Sequence, residues 1–140
     1  MEKHVVETYR LDGTQLPAMP VPHDCVIRRI GVEGRMLTFD FEEDISRHDA
    51  IRHFRPEAKS LILRFHLADP DFCLYAWHRP VRFFFPQGYY KAMPSAKIAE
   101  IPKGRLEYLY HNVGYRSLII RMNTHLLELE ADFVEYEWVL

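Results

Sequence analysis

The stretch 126–140 reads Leu126-Leu127-Glu128-Leu129-Glu130-Ala131-Asp132-Phe133-Val134-Glu135-Tyr136-Glu137-Trp138-Val139-Leu140, and it decides the fold. Leu127, Leu129, Ala131 and Phe133 alternate with Glu128, Glu130 and Asp132. A period of two marks a strand with one buried and one wet face. The phase then slips, and Val134, Tyr136, Trp138 and Leu140 become the apolar set, with Glu135 and Glu137 between them. One extra residue at Phe133-Val134 predicts a bulge, the device by which a strand bends from one sheet or layer to the next.

The same alternation recurs upstream. Leu118, Ile120 and Met122 face one way, and Asn123-Thr124-His125 closes that strand into the last one. Leu106, Tyr108 and Tyr110 form another face, followed by a turn at Asn112-Val113-Gly114. Leu61, Leu63, Phe65 and Leu67 define a clear strand, and Asp69-Pro70-Asp71 turns the chain into 72–79, which is apolar on both faces, as a central strand would be. Val26, Ile30 and Val32 share a face, and Glu33-Gly34 leads into Leu37, Phe39 and Phe41, a hairpin pattern. Residues 5–11 form a short strand ending at Asp12-Gly13, and a further strand is centred on Phe83, Phe84 and Phe85.

Three segments break the pattern. Pro17, Pro20 and Pro22 make 15–22 a surface connection or an edge, because proline lacks the N–H a central strand must donate. Ser46, with Asp49 three residues on and Pro56 beyond, outlines a helix of about two turns near residues 46–54. Residues 93–104, with Pro94, Pro102 and Gly104, read as loop with one short strand near Ile98 and Ile101. The expected fold is all-β and mainly antiparallel. It is a β-sandwich or partly closed barrel of about eight to ten strands, with at most one short helix, in a single β domain over 1–140.

Bulk properties narrow the function classes. The formal net charge of -2 gives no general pull towards nucleic acid or acidic membranes. Neither a signal-peptide pattern behind Met1-Glu2-Lys3-His4 nor a run of roughly 18 apolar residues is present, so the expectation is a cytoplasmic protein without a membrane span. Cys25 and Cys73 lie far apart among strand-like residues and read as two buried reduced thiols.

No glycine-rich phosphate loop or hydrolase elbow occurs. The eight histidines lack the short spacings of a zinc site. His48 and His53 diverge on a helix, while His66 and His78 face each other only if the Asp69-Pro70-Asp71 turn folds back. The expected metal and cofactor are none, and the histidines read as partners of carboxylates. Acids two apart on a strand, such as Asp40 and Glu42 or Glu128, Glu130 and Asp132, match a solvated face, with Arg116 or Arg121 as their neighbours across the strand.

The most asymmetric feature is electrostatic. Residues 73–99 contain no acid, while Arg79, Arg82, Lys91 and Lys97 lie among Trp77, Phe83, Phe84, Phe85, Tyr89 and Tyr90. The first functional reading is a non-catalytic β-sheet module that binds another protein or a small ligand through Trp77, Arg79, Arg82, Tyr89, Tyr90 and Lys91, since Arg, Trp and Tyr dominate binding hot spots. The second is a small enzyme or ligand-holding barrel, with Trp77, Tyr75 and His78 lining a pocket and Asp40 or Glu130 as base. A third is single-stranded nucleic-acid binding, which the slightly acidic balance disfavours. An exposed edge strand offers a route to a homodimer.

Overall fold

The computed structural model describes residues 2–79 and 88–140. Among them are nine strands, all paired antiparallel. They are β1 (His4–Arg10), β2 (Ile27–Glu33), β3 (Met36–Phe41), β4 (Ser60–Leu67), β5 (Cys73–His78), β6 (Tyr89–Met93), β7 (Tyr108–Gly114), β8 (Ser117–Met122) and β9 (His125–Val139). The expected all-β, mainly antiparallel class is what the chain adopts.

The longest strand, β9, carries the bend that its phase slip predicts. His66 pairs with Phe133 and Leu67 with Ala131, so Asp132 is the extra residue, one position earlier than the alternation suggests. Phe133 therefore faces outward, and the buried set is Leu127, Leu129, Ala131, Val134, Tyr136 and Trp138. At this bulge β9 exchanges both neighbours. Residues up to Glu130 pair with β5 and β8, and residues from Phe133 on pair with β4 and β1, with Ala131 already paired to Leu67 of β4. The Ala68 N–H donates to the Glu130 carbonyl (2.9 Å), which puts β4 and β5 on one edge of β9. On the other edge, Leu11 N–H donates to Asp132 O (2.8 Å), Arg116 N–H to Leu11 O (2.8 Å) and Ala131 N–H to Arg116 O (3.1 Å). One strand thus belongs to two half-sheets, β2-β3-β4-β9-β1 and β6-β5-β9-β8-β7.

The half-sheets share one core, where Phe39 and Phe41 of β3 meet Tyr108 of β7 with ring centroids 6.4 and 5.9 Å apart. Among the described residues their far edges meet at one bridge, Val26 to Glu107, flanked by bonds from Asp24 N to Tyr108 O, from Tyr108 N to Cys25 O and from Ile27 N to Leu106 O. The sheet does not close as a continuous ladder. Full burial of Trp138, Tyr136, Phe39, Phe41 and Phe65 supplies the main stabilisation, about 1.5–3 kcal/mol for a large side chain.

Two further bulges displace side chains from their expected faces. The pairing of β2 shifts between Ile27 and Arg29, so Ile27 and Ile30 are buried together while Val32 is exposed. The pairing of β7 shifts between Tyr108 and Tyr110, which turns Tyr110 outward and buries His111. Turn positions also move by a residue or two. Gly34-Arg35 links β2 to β3 with Gly34 at φ 60°, and Tyr115-Arg116 links β7 to β8 instead of Asn112-Val113-Gly114.

The helix near 46–54 is one turn, α1 (Asp49–Arg52), with His48 at its N-cap; Ser46 lies in the preceding 3-10 turn. The strand expected near Ile98 and Ile101 is instead a 3-10 turn over Ser95–Glu100, led by Pro94, with Ile98 buried. β5 is not buried on both faces, because Trp77 and Cys73 are exposed. The strand centred on Phe83 lies outside the described residues.

The proline segment is fastened over the core by buried polar groups. His111 Nε2 lies 3.2 Å from the Met19 carbonyl, and Tyr108 Oη lies 2.6 Å from His111 Nδ1. A carbonyl only accepts, so Nε2 carries the proton and Nδ1 accepts from the tyrosine hydroxyl. Tyr136 donates to the Pro20 carbonyl at 2.6 Å. Met19, expected on the surface, is thereby buried.

Candidate functional site

The outer face of β6-β5-β9-β8-β7 concentrates the exposed aromatic side chains. Trp77 and Tyr90 are cross-strand partners, with ring centroids 4.9 Å apart and planes at 69°. Arg121 Nε donates to Tyr90 Oη at 3.4 Å, and Arg121 pairs in register with Leu126 on one side and Tyr110 on the other. Trp77, Tyr90, Tyr110 and Arg121 border an open groove of about 480 Å³, which Leu109 and Met122 also line. Gly88 makes the Trp77 position available. It sits at φ 81°, and an added Cβ would lie 2.3 Å from Trp77 Cζ2.

The other polar groups of this groove are already committed. Asn123 donates to Arg105 O and accepts from Glu107 N, both at 2.8 Å. His23 Nδ1 donates to Leu109 O at 2.7 Å. The Arg121 guanidinium has no ion-pair partner among the described residues.

A second groove of about 500 Å³ lies towards the bulge end of the same face, bordered by Asp69, Asp71, Cys73, Ser117, Glu128 and Glu130. Its chemistry is acidic, and it contains no basic side chain among its lining residues. The Glu128 charge, with a Cys73 hydrogen bond behind it, holds the Tyr75 hydroxyl above its ordinary pKa.

The residues singled out from sequence divide between two faces. Trp77 and Tyr90 come together in the aromatic groove. Tyr89 pairs with His78 and Lys91 with Ala76, so both belong to the opposite face. Tyr89 stacks on His78 at 5.2 Å. Arg79 is exposed just beyond the end of β5. Arg82 lies outside the described residues.

The pocket imagined from Trp77, Tyr75 and His78 does not assemble. Tyr75 and Trp77 share a face that His78 leaves, Asp40 is on β3 in the other half-sheet, and Glu130 borders the acidic groove. His66 and His78 do not face each other either. β5 continues along the same edge of β9 as β4 and does not fold back on it, and His66 bonds Glu135 and stacks on Phe133.

Ionisable groups elsewhere form structural pairs. Burial raises Glu42, but the Arg47 guanidinium and the Val26 N–H outweigh it and hold its pKa below the usual range. Glu137 is likewise lowered against its burial, by His4 and Arg64. Arg116 lies 3.0 Å from Asp132, the cross-strand partner expected for that acid. His4, His48 and His66 hydrogen-bond carboxylates and His23 lies 3.4 Å from Asp24, whereas His53 and His111 bond backbone carbonyls and His125 bonds the Thr124 hydroxyl. Among the described residues no three His, Cys, Asp or Glu side chains gather as a metal-binding set, and no helix is long and apolar enough to cross a membrane.

Arg121 and Tyr110 are the members of the site that the sequence reading missed. The inward set Leu118, Ile120 and Met122 already implies that Arg121 points out, so its signal was present. Tyr110 was hidden by the β7 bulge. Comparison with protein-family models, curated proteins and solved structures finds no match for this chain.

Proposed function

We propose that this chain is a non-catalytic β-sheet module that binds a partner on the outer face of β6-β5-β9-β8-β7. The observation that carries the reading is the exposed Trp77 and Tyr110, with the half-buried Tyr90, grouped around Arg121. Trp, Tyr and Arg are the residue types that dominate binding energy at interfaces, and contiguous exposed apolar surface is costly unless something covers it. The ionisable groups with lowered carboxylate pKa, Asp12, Glu42 and Glu137, lie outside both grooves and are committed to ion pairs. That distribution favours binding over acid–base catalysis, which calls for a perturbed group within reach of a bound substrate. Four carboxylates on the same face disfavour a nucleic-acid strand, whose phosphates would run onto Glu128 and Glu130.

The scaffold reads most simply as a partly closed barrel, a view supported by the Val26–Glu107 bridge. Free Cys25 and Cys73 fit a reducing compartment such as the cytoplasm.

The test is capture from lysate by wild type and by a Trp77→Ala, Tyr110→Ala double variant, both checked for unchanged thermal unfolding. Loss of the captured species in the folded double variant supports this surface. Equal capture removes it.

A further inference from the structure

The outer face has a pattern that its register makes explicit. Cross-strand partners share a face, as do alternate residues along a strand. On this face Ile119 of β8 pairs with Glu128 of β9, and Arg121 pairs with Leu126. Leu126 in turn pairs with Tyr75 of β5, and Trp77 follows two residues on. Ile119, Leu126 and Trp77 therefore fall on one diagonal, each one strand across and two residues along from the last. Arg121 and Tyr110 lie on one side of this apolar line, and Glu128 and Glu130 lie on the other.

Such a pattern is self-complementary. When two copies of a surface pack face to face about a two-fold axis in the interface plane, residues on the axis meet their own counterparts. Residues off the axis meet those mirrored across it. With the axis along the diagonal, Ile119, Leu126 and Trp77 contact themselves, and Arg121 of each copy meets Glu128 of the other. Strands about 4.8 Å apart and steps of about 6.6 Å incline the diagonal roughly 36° to the strands, so the two sheets cross at about 70°, near orthogonal packing.

We infer that the partner for this face is a second copy of the chain, docked about the Ile119–Leu126–Trp77 diagonal. This inference rests on the face being the contact surface. Charge usage supports it. Along β9, Asp132 pairs with Arg116, Glu135 with His66, and Glu137 with Arg64 and His4. Glu128, Glu130 and Arg121 have no ion-pair partner among the described residues. Apolar exposure agrees, since among the described residues Trp77, Tyr110 and Ile119 are exposed on β5, β7 and β8, and Tyr115 is exposed in the turn that joins β7 to β8. Five strands of about six residues give a face of roughly 24 by 20 Å, at the small end of specific interfaces, so the dimer is a concentration-dependent one.

Sedimentation velocity of the full chain across the micromolar range tests this. Wild type is expected to pass from monomer to dimer. Arg121→Glu and Glu128→Arg each bring like charges together across the axis and weaken the dimer by on the order of a hundredfold. An equimolar mixture of the two variants, which restores both ion pairs, recovers the dimer. A wild type that stays monomeric throughout overturns self-association; if the double variant described above still loses its captured partner, the binding reading survives that failure. A dimer indifferent to both charge reversals, but lost in Val6→Pro on the β1 edge, overturns the face-to-face arrangement in favour of edge pairing.

Discussion

Phe133 stacks on His66 with ring centroids 4.0 Å apart and planes only 15° from parallel. This outward stack exists because Asp132 is the extra residue of β9, leaving Asp132 and Phe133 both outside the core. Without the bulge, side-chain alternation would carry Phe133 inward and turn Val134, Tyr136 and Trp138 out, since a one-residue slip moves every side chain to the other face. Deleting Asp132 is therefore expected to abolish cooperative folding, because the burial of three large side chains, about 1.5–3 kcal/mol each, is comparable with the whole stability of about 5–15 kcal/mol that a domain of this kind has. Phe133→Thr, which removes only a half-buried stack on His66 and the Arg10 guanidinium's contact with the ring, is expected to cost far less, about 1–2 kcal/mol. Urea unfolding of both variants checks the contrast, and a folded deletion variant would contradict the assigned register.

The β9 bulge was legible because unambiguous apolar and acidic residues flank it on both sides. The β7 bulge was not, since Tyr108, Leu109, Tyr110 and His111 can each sit on either face, and only the pairing with β8 decides. Apolar residues on both faces of β5 suggested a central, covered strand. β5 does lie between β9 and β6, but Trp77 and Cys73 stay exposed on its outer face. The alternation alone indicated that Arg121 points outward. That it meets Tyr90, 31 residues away, follows from β9 exchanging neighbours at its bulge, a non-local event that no window of sequence contains.

The buried His111 gives folding a pH dependence of defined sign. Burial lowers its pKa from 6.5, against the Met19 carbonyl, which raises it. A histidine with a depressed folded pKa binds its proton more readily when unfolded, so stability is full above about 6.5 and falls as pH drops below it. His4, whose pKa the Glu137 hydrogen bond raises, has the opposite sign; it stabilises at low pH and loses that contribution as pH rises through its folded pKa. The melting temperature is expected to decline between pH 6.5 and the carboxylate range, and His111→Gln is expected to flatten that decline. Glutamine still offers a donor to Met19 O and an acceptor to Tyr108, so it keeps both bonds without the titration. An undiminished slope in His111→Gln would assign the acid sensitivity elsewhere.

The two thiols are expected to react at very different rates. Burial, with the Glu42 charge adding to it, pushes Cys25 up to about 12, and its side chain is fully enclosed. Cys73 is exposed at the acidic groove. A thiol reagent at neutral pH should modify one cysteine per native chain and two in denaturant, because only accessible thiolate reacts. Cys73→Ser should remove the native reaction entirely. Two rapid native equivalents would mean that the 24–27 connection opens far more often than its bonds to β7 imply.

Gly88 is a position from which the aromatic groove can be disturbed without changing any of its aromatic side chains. Its φ of 81° disfavours any side chain, and an added Cβ would approach Trp77 Cζ2 to 2.3 Å and the His78 carbonyl to 2.7 Å. In Gly88→Ala the indole must therefore leave its place against Tyr90. The backbone strain costs about 1–3 kcal/mol, small beside the core contributions of β9. Trp138, the other indole, is fully buried and serves as a constant background, so the change in emission reports Trp77. Gly88→Ala is expected to raise acrylamide quenching of the exposed fluorophore and to weaken whatever associates with this face, while the cooperative unfolding transition persists. Unchanged quenching together with unchanged association would show that Trp77 is not held where its contact with Gly88 places it.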